Sequence, residues 1–269
     1  MDIWPRNDFI KHAQDSGASE DVAIAAWKQA KVVQSVKLPP ILSLNHLAVH
    51  TNCQYKYLRK VVCRNFDPYR IFRIRKRSGG TRQICIPELG LAKVQTWINR
   101  HLLSQLDPHQ ASMAFSKGAS TLNCASQHAG CRWLIKCDVE QFFESISEIQ
   151  VYRVFLKAGY VPLVAFELAR LCTRTYKSSP RYKLKRWRGR PYKQIASYFD
   201  SFVGHLPQGA PTSPKLSNLV MQDFDSELSN LANESNLTYT RYADVLFFQI
   251  TMASLIGPRQ KSGFARFSP

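Results

Sequence analysis

Acidic residues are scarce in this chain. Of 269 residues, 19 are Asp or Glu against 37 Lys or Arg, a formal net charge of +18 with a sequence pI near 9.8. Such an imbalance says nothing about fold. It predicts a partner of dense negative charge, most simply a nucleic-acid backbone bound through counterion release. The seven cysteines, at 53, 63, 85, 124, 131, 137 and 172, form no C-x-x-C pair. A zinc site and a disulfide framework are therefore not expected, and reduced thiols in a cytoplasm fit best. The histidines make no H-E-x-x-H pattern. No run of about 18 apolar residues occurs, so no membrane partner is expected. The mixed, polar start from Met1 to Phe9 has no apolar h-region of a signal peptide.

The remaining composition supports folding, since 45% of residues are hydrophobic and a real core can be buried. Residues 1–65 read as a helical N-terminal segment. Small and apolar residues recur from Val22 through Ala26, Ala30 and Val33, Pro39 and Pro40 end that stretch, and Ser43 suits the N-cap of a short helix carrying Leu44 and Leu47. Lys56, Arg59 and Lys60 make a basic helical face. The period then changes. Phe72 and Ile74 alternate with Arg73 and Arg75, a Gly79-Gly80 turn follows, and Arg82-Gln83-Ile84-Cys85-Ile86 alternates again. That pattern is a basic β-hairpin. Helical spacing returns through Leu91, Val94, Trp97, Ile98 and Leu102.

Residues 174–193 contain nine Lys or Arg and no acid, with Tyr176, Tyr182, Trp187 and Tyr192 interleaved. Cations there can neutralise phosphates while rings stack on bases. Lys183, Lys185, Arg186, Trp187, Arg188 and Arg190 are the candidate nucleic-acid contacts. A solvated basic loop is the plainer reading of the same residues.

Three segments carry chemistry together. In Leu134-Ile135-Lys136-Cys137-Asp138-Val139-Glu140-Gln141-Phe142-Phe143, a carboxylate ends an apolar run that looks like a buried strand. In Leu206-Pro207-Gln208-Gly209-Ala210-Pro211-Thr212-Ser213-Pro214, Gly and Pro turns lead into a helical run. In Tyr239-Thr240-Arg241-Tyr242-Ala243-Asp244-Val245-Leu246-Phe247-Phe248, strand formers flank an Ala-Asp turn, a hairpin with a carboxylate at its tip.

In this order the three segments resemble motifs A, B and C of the reverse transcriptases, specifically the bacterial retron branch. The hairpin from Arg73 to Ile86 is similar to the family's fingers motif, and Ala114-Phe115-Ser116-Lys117-Gly118-Ala119-Ser120 to the stretch that follows it. The resemblance covers residues 44–248. Cys124-Ala125-Ser126-Gln127-His128 departs from the retron signature N-A-x-x-H, and group II intron enzymes and other defence-associated reverse transcriptases share the main motifs.

The resemblance implies an α+β, right-hand polymerase fold. It has a helical N-terminal segment at 1–65, fingers at 66–130, and a palm at 131–248 with an antiparallel sheet backed by helices and a basic insertion at 174–205. The thumb is absent and 249–269 is an unassigned tail. The implied activity is RNA-directed DNA synthesis with two Mg²⁺ ions on a structured RNA template, through an RNA–DNA hybrid, from dNTPs. Asp138 and Asp244 would be the catalytic metal ligands, with the Val139 carbonyl as a third. Phe143 would exclude a ribose 2′-hydroxyl, Gln208 would contact the incoming nucleotide, and Arg75 and Arg82 on the fingers would grip its triphosphate. Retron enzymes act in phage defence with a non-coding RNA and an effector protein.

Two departures bear on activity. Val245 stands where the family has a second motif C aspartate, and valine cannot ligate a metal. After Phe248, the residues to Pro269 match no family motif. A frameshift or truncation after the Asp244 codon is one expectation, a naturally shortened form another. A binding module that holds RNA without copying it, or a fragment with uncovered apolar palm surface, would carry the same sequence.

Overall fold

A computed structural model describes residues 5–75, 79–175, 198 and 202–250. Two compact units emerge, each assembled from two stretches of chain: Met1–His109 with Glu140–Gln222, and Gln110–Val139 with Asp223–Pro269. These cuts do not follow the boundaries expected at 65 and 130. The second stretch of each unit returns to complete the first, which no linear division of the chain captures.

The first unit begins with helices α1 (Arg6–Asp15), α2 (Glu20–Ser35), α3 (Leu44–His50) and α4 (Tyr55–Val62). Ala30 and Val33 of α2 are buried, whereas Val22 is exposed. The helix ends before Pro39 is reached. Lys37 adopts φ 60, and its amide and that of Leu38 donate to the carbonyls of Gln34 and Val33, the pairing of a left-handed C-terminal turn. Ser43 caps α3 as expected, its hydroxyl accepting from the His46 amide at 3.1 Å.

Strands β1 (Tyr69–Arg75) and β2 (Thr81–Pro87) form the expected antiparallel hairpin. Next come α5 (Leu89–His101), a 3₁₀ turn at Leu103–Gln105 and, in the second unit, α6 (Thr121–Ser126) and β3 (Trp133–Asp138). The chain returns to the first unit for α7 (Phe142–Ser145), α8 (Glu148–Lys157), α9 (Pro162–Cys172) and α10 (Ser213–Val220). Ser147 and Gln150 close a reciprocal capping box at the start of α8. Pro162 opens α9 where its missing N–H is no loss.

Helix α9 is the axis of the first unit. Every residue from Glu167 to Cys172 is buried, so the second half of the helix has no solvent face and is packed on all sides. Leu58 and Val62 of α4, Leu91, Val94 and Ile98 of α5, and Val151 and Phe155 of α8 are buried too. Each such side chain contributes roughly 1.5–3 kcal/mol when fully buried.

The second unit holds α11 (Gln222–Glu234), β4 (Leu237–Tyr242) and β5 (Val245–Ile250). Its antiparallel sheet has the order β3-β5-β4. A small core of Ala111, Ala232, Tyr239 and Leu246, with Leu228 and Phe248 against it, packs α11 on the sheet. Gln249 and Ile250, expected in an unassigned tail, complete β5. The expectation of a buried strand before Asp138 fails: all six residues of β3 are exposed, Trp133 at 61% and Ile135 at 51%. The strand lies at the sheet edge, with a neighbour on one side only. Among the described residues no helix is long and apolar enough to cross a membrane. The whole is a mixed α+β protein with small antiparallel sheets, compatible with polymerase fingers and palm.

Candidate active site

The three residues named from sequence as oxygen donors are backbone neighbours in the second unit. Asp138 ends β3, and β3 pairs with β5 so that Asp138 faces Val245 across the ladder. The Val139 amide then donates to the Asp244 carbonyl at 2.8 Å. Two carboxylate-bearing residues thus sit at the same end of neighbouring strands, which is what paired strand ends do when the register is in step.

Asp244 is the second residue of a two-residue turn between Tyr242 and Val245. The first, Ala243, has φ 56, the positive φ that tight hairpins require and that a residue with a Cβ adopts at a cost. Arg241 holds this turn from below. Its Nη1 donates to the Ala243 carbonyl at 2.9 Å, while Nε and Nη2 fork onto Asp225 of α11 at 2.8 and 2.6 Å. Both partners are fully buried. Tyr239 donates to the same carboxylate at 2.8 Å. Burial and the neighbouring Asp225 push the Tyr239 hydroxyl far above the ordinary tyrosine range, so it stays a donor. Arg241 also pairs through its backbone with Ala111 and Met113. Neither Asp225 nor Arg241 stood out in the sequence, where sixteen residues separate them.

His128 has a structural place. Its Nδ1 is hydrogen-bonded to Gln249 Oε1 at 3.0 Å and its Nε2 to the Thr240 hydroxyl at 2.7 Å. The ring joins β4 to β5 beneath the Asp244 turn. The ring is buried.

The other expected site residues belong to the first unit. Phe143 is half-buried on α7, its ring edge-on to Phe142 at 5.4 Å. Gln208 is half-exposed, and its carbonyl accepts from the Cys85 amide of β2 at 2.7 Å. That bond ties the Gly/Pro loop to the hairpin. Gly209 sits where nothing larger fits easily: φ is +106, and a Cβ would lie 3.0 Å from Ile84 Cγ2 and 3.2 Å from the Cys85 carbonyl. Ser213 closes the loop by donating to the Pro207 carbonyl at 2.7 Å.

Arg75 and Arg82 are both exposed, but they do not share a face. Arg75 pairs with Thr81 and Arg82 with Ile74. Cross-strand partners point the same way and neighbours along a strand point opposite ways, so the two guanidiniums leave opposite faces of the hairpin. Arg174, read from sequence as one more cation of the basic run, is 2% exposed and paired with Asp67 at 2.6 Å. Lys183, Lys185, Arg186, Trp187, Arg188 and Arg190 lie outside the described residues.

The donor set suits a hard divalent cation, since carboxylate and carbonyl oxygens are what Mg²⁺ takes. It is a lean set: among the described residues no group of three or more His, Cys, Asp or Glu side chains is placed to hold an ion. Val245 adds no side-chain oxygen at the turn. It occupies the β5 position that faces both Asp138 and Tyr242.

The reverse transcriptase (RNA-dependent DNA polymerase) family matches residues 74–254. The chain belongs to this family. It is 30% identical over 216 residues to the retron Ec86 reverse transcriptase of Escherichia coli, covering 80% of this chain and 59% of that protein. It is 32% identical over 187 residues to the retron Mx162 reverse transcriptase of Myxococcus xanthus, 70% of this chain and 36% of the relative. The retron Mx65 reverse transcriptase of the same organism is 34% identical over 182 residues, 67% and 40%. These relatives mark the chain as retron-type, and it spans between 36% and 59% of their length.

Proposed function

We propose that the chain is the fingers and palm of an RNA-directed DNA polymerase that copies a structured non-coding RNA. The observation that carries this reading is the meeting of Asp138 and Asp244 at adjoining strand ends, on a turn pinned by a buried Arg241–Asp225 pair. Asp138, Asp244 and the Val139 carbonyl would hold Mg²⁺, which supplies charge stabilisation and activation of a primer hydroxyl in such transfers. The protein residues position the reactants. Phe143 would present its ring to a ribose 2′-hydroxyl. Gln208, fixed through its backbone to β2, would lie along the incoming nucleotide. Arg75 and Arg82 would meet phosphate from the two faces of the hairpin, guanidinium being suited to bidentate contact. The basic run to Arg190 would hold template, and phage defence with an effector protein is the setting that the retron resemblance implies.

Val245 favours a second reading, in which the chain holds RNA but copies it poorly. With one carboxylate fewer, the site neutralises and places its ions less well, and positioning with charge stabilisation is nearly all that the protein contributes. The test is Mg²⁺-dependent primer extension on an RNA template. The chain is assayed alone and fused to the C-terminal half of the Escherichia coli retron relative, each with and without Val245→Asp. Val245→Asp is expected to raise the rate about 100-fold or more, the order one preorganised charge-stabilising group is worth, and Asp138→Asn to abolish it. No extension from any of the four proteins would reject the catalytic reading and leave RNA binding.

A further inference from the structure

The first unit contains a cavity of about 580 Å³ that none of the residues assigned above line, a size that suits a small organic ligand. Its walls include Gln34, Lys37, Pro39, His50, Trp97 and His101. His50 of α3 and Trp97 and His101 of α5 line it, and His46 lies behind His50, so that each helix carries an i,i+4 pair of rings. Together they make one ladder. Centroids are 4.5 Å apart for His46–His50, 5.3 Å at 28° for His50–Trp97, and 4.9 Å at 33° for Trp97–His101.

Simple packing does not account for this choice of residues. The His50 Nε2 is buried without a hydrogen-bond partner, a cost that an apolar side chain in the same place would avoid. Burial pushes the His50 pKa down, with His101 adding to the effect, and burial with His50 does the same to His46. At neutral pH these two rings are uncharged, and flat neutral rings are what a nucleobase stacks on. Trp97 is half-buried and His101 exposed, so both keep surface to offer the cavity.

Charge comes from Lys37. It stands at the left-handed position that ends α2, with φ 60, where glycine is the usual residue. Strain accepted for a side chain points to a use for that side chain. Leu38, next in the chain, is buried and anchors the turn, while Lys37 itself is exposed at the cavity wall. A cation beside a stack of rings, in a chain of net charge +18, matches a base with its adjoining phosphate.

We propose that this cavity holds one nucleotide of an unpaired RNA segment, its base against Trp97 and His101 and its phosphate at Lys37. The contact is independent of copying, so a failed primer extension leaves it standing. The probe is a short single-stranded adenylate RNA, ultraviolet-crosslinked to the full chain and mapped by mass spectrometry, with affinities read by fluorescence anisotropy across a salt series. Crosslinks are expected on the peptide carrying Trp97 and His101. Trp97→Ala and His101→Ala should each weaken binding about fivefold or more, the lower end of what one stacked base is worth. Trp97→Phe, which keeps a ring and the packing, should retain most of the affinity. Lys37→Gln should flatten the salt dependence by about 0.7 in log–log slope, one phosphate contact to a single strand. Crosslinking by AMP with none by the RNA would keep the nucleotide chemistry and overturn RNA as its source. Competition by duplex RNA equal to that by the single strand would overturn an unpaired segment. Crosslinks confined to other peptides, with folded Lys37→Gln and His101→Ala variants binding like the parent chain, would overturn the site.

Discussion

Glu148 in the first unit and Asp225 in the second are both carboxylates removed from water and answered by arginine, yet the surroundings of the two pairs differ. Glu148 takes Arg64 at 2.5 Å and Arg170 at 2.7 Å. Those arginines also reach backbone. Arg64 donates to the Arg170 and Thr173 carbonyls, and Arg170 to those of Val62 and Tyr198. The Gly204 amide adds a further bond to Glu148 at 3.1 Å. A Cβ on Gly204 would come within 2.5 Å of that carboxylate, so the chain passes the charge as closely as a backbone can. This network knits α4, α8, α9 and the segment before the Gly/Pro loop into one scaffold. In the second unit one carboxylate, Asp225, carries Arg241 and Tyr239 beneath a turn that presents Asp244. The first arrangement spreads its load over a large core, whereas the second concentrates it where that unit's core is small.

The sharpest way to break this contrast is Asp225→Ala. It leaves a fully buried guanidinium without its carboxylate, which costs about 3–5 kcal/mol. Urea unfolding with hydrogen exchange read on β4 and β5 should show the second unit opening first. Should the exchange of those strands stay at the parent level, the pair is not what holds the turn.

Glu148→Gln should cost less, about 2–3 kcal/mol, although it disturbs two arginines. Each retains two carbonyl acceptors where Arg241 retains one, and glutamine, unlike alanine, keeps an oxygen to accept from them. A larger loss than for Asp225→Ala would reverse the comparison. Replacing Arg64 and Glu148 singly and together would then show how much of the energy belongs to the pair itself.

Acid should separate the units further. Burial, with Arg174 and Arg64 nearby, pushes the His205 pKa from 6.5 down to about 3. An unfolded chain takes up that proton below pH 6.5 and the folded one does not until about pH 3. The stability of the first unit therefore falls as pH drops through that window, by on the order of 1 kcal/mol per pH unit. Glu148 acts lower down. Burial works against its charge, but Arg64 and Arg170 outweigh burial and hold its pKa below 4.5. Its contribution is present above pH 4.5 and is lost as pH falls through the lower, folded value. His205→Gln should flatten the slope between pH 6.5 and 4.5 and leave the lower limb intact, as read by unfolding midpoints across that range.

Local pattern made the hairpin, the Ser43 cap and the Ala243-Asp244 turn legible in the sequence, because each is a matter of neighbours. What escaped depends on distant partners. Arg174 reads as a solvated charge in a basic run, yet Asp67, 107 residues away, meets it and lets it be buried. Arg75 and Arg82 look alike as exposed fingers cations, but the register, not the composition, assigns them to opposite faces. The apolar run before Asp138 reads as interior, and only the strand order shows it at an edge. The motif carboxylates were visible as a resemblance. The Arg241–Asp225 support beneath them was not, since a lone Asp on a helix and a lone Arg on a strand are ordinary until the fold joins them.

The smallest effect tests how the first unit uses backbone instead of charge. Gly209→Ala should destabilise by about 1–2 kcal/mol, since an L-residue at positive φ is strained. Gly79 has a similar φ of +89, but a Cβ there meets nothing within 4 Å, while at Gly209 it meets Ile84 and the Cys85 carbonyl. Gly79→Ala therefore incurs strain alone, and Gly209→Ala incurs strain plus crowding. The difference between the two variants isolates the cost of close approach between the loop and β2. That difference should appear as faster exchange of the Cys85 amide, which donates to the Gln208 carbonyl, only in Gly209→Ala. Equal losses with an unchanged Cys85 amide would mean that the loop tolerates a side chain there and that the close approach to β2 carries no cost of its own.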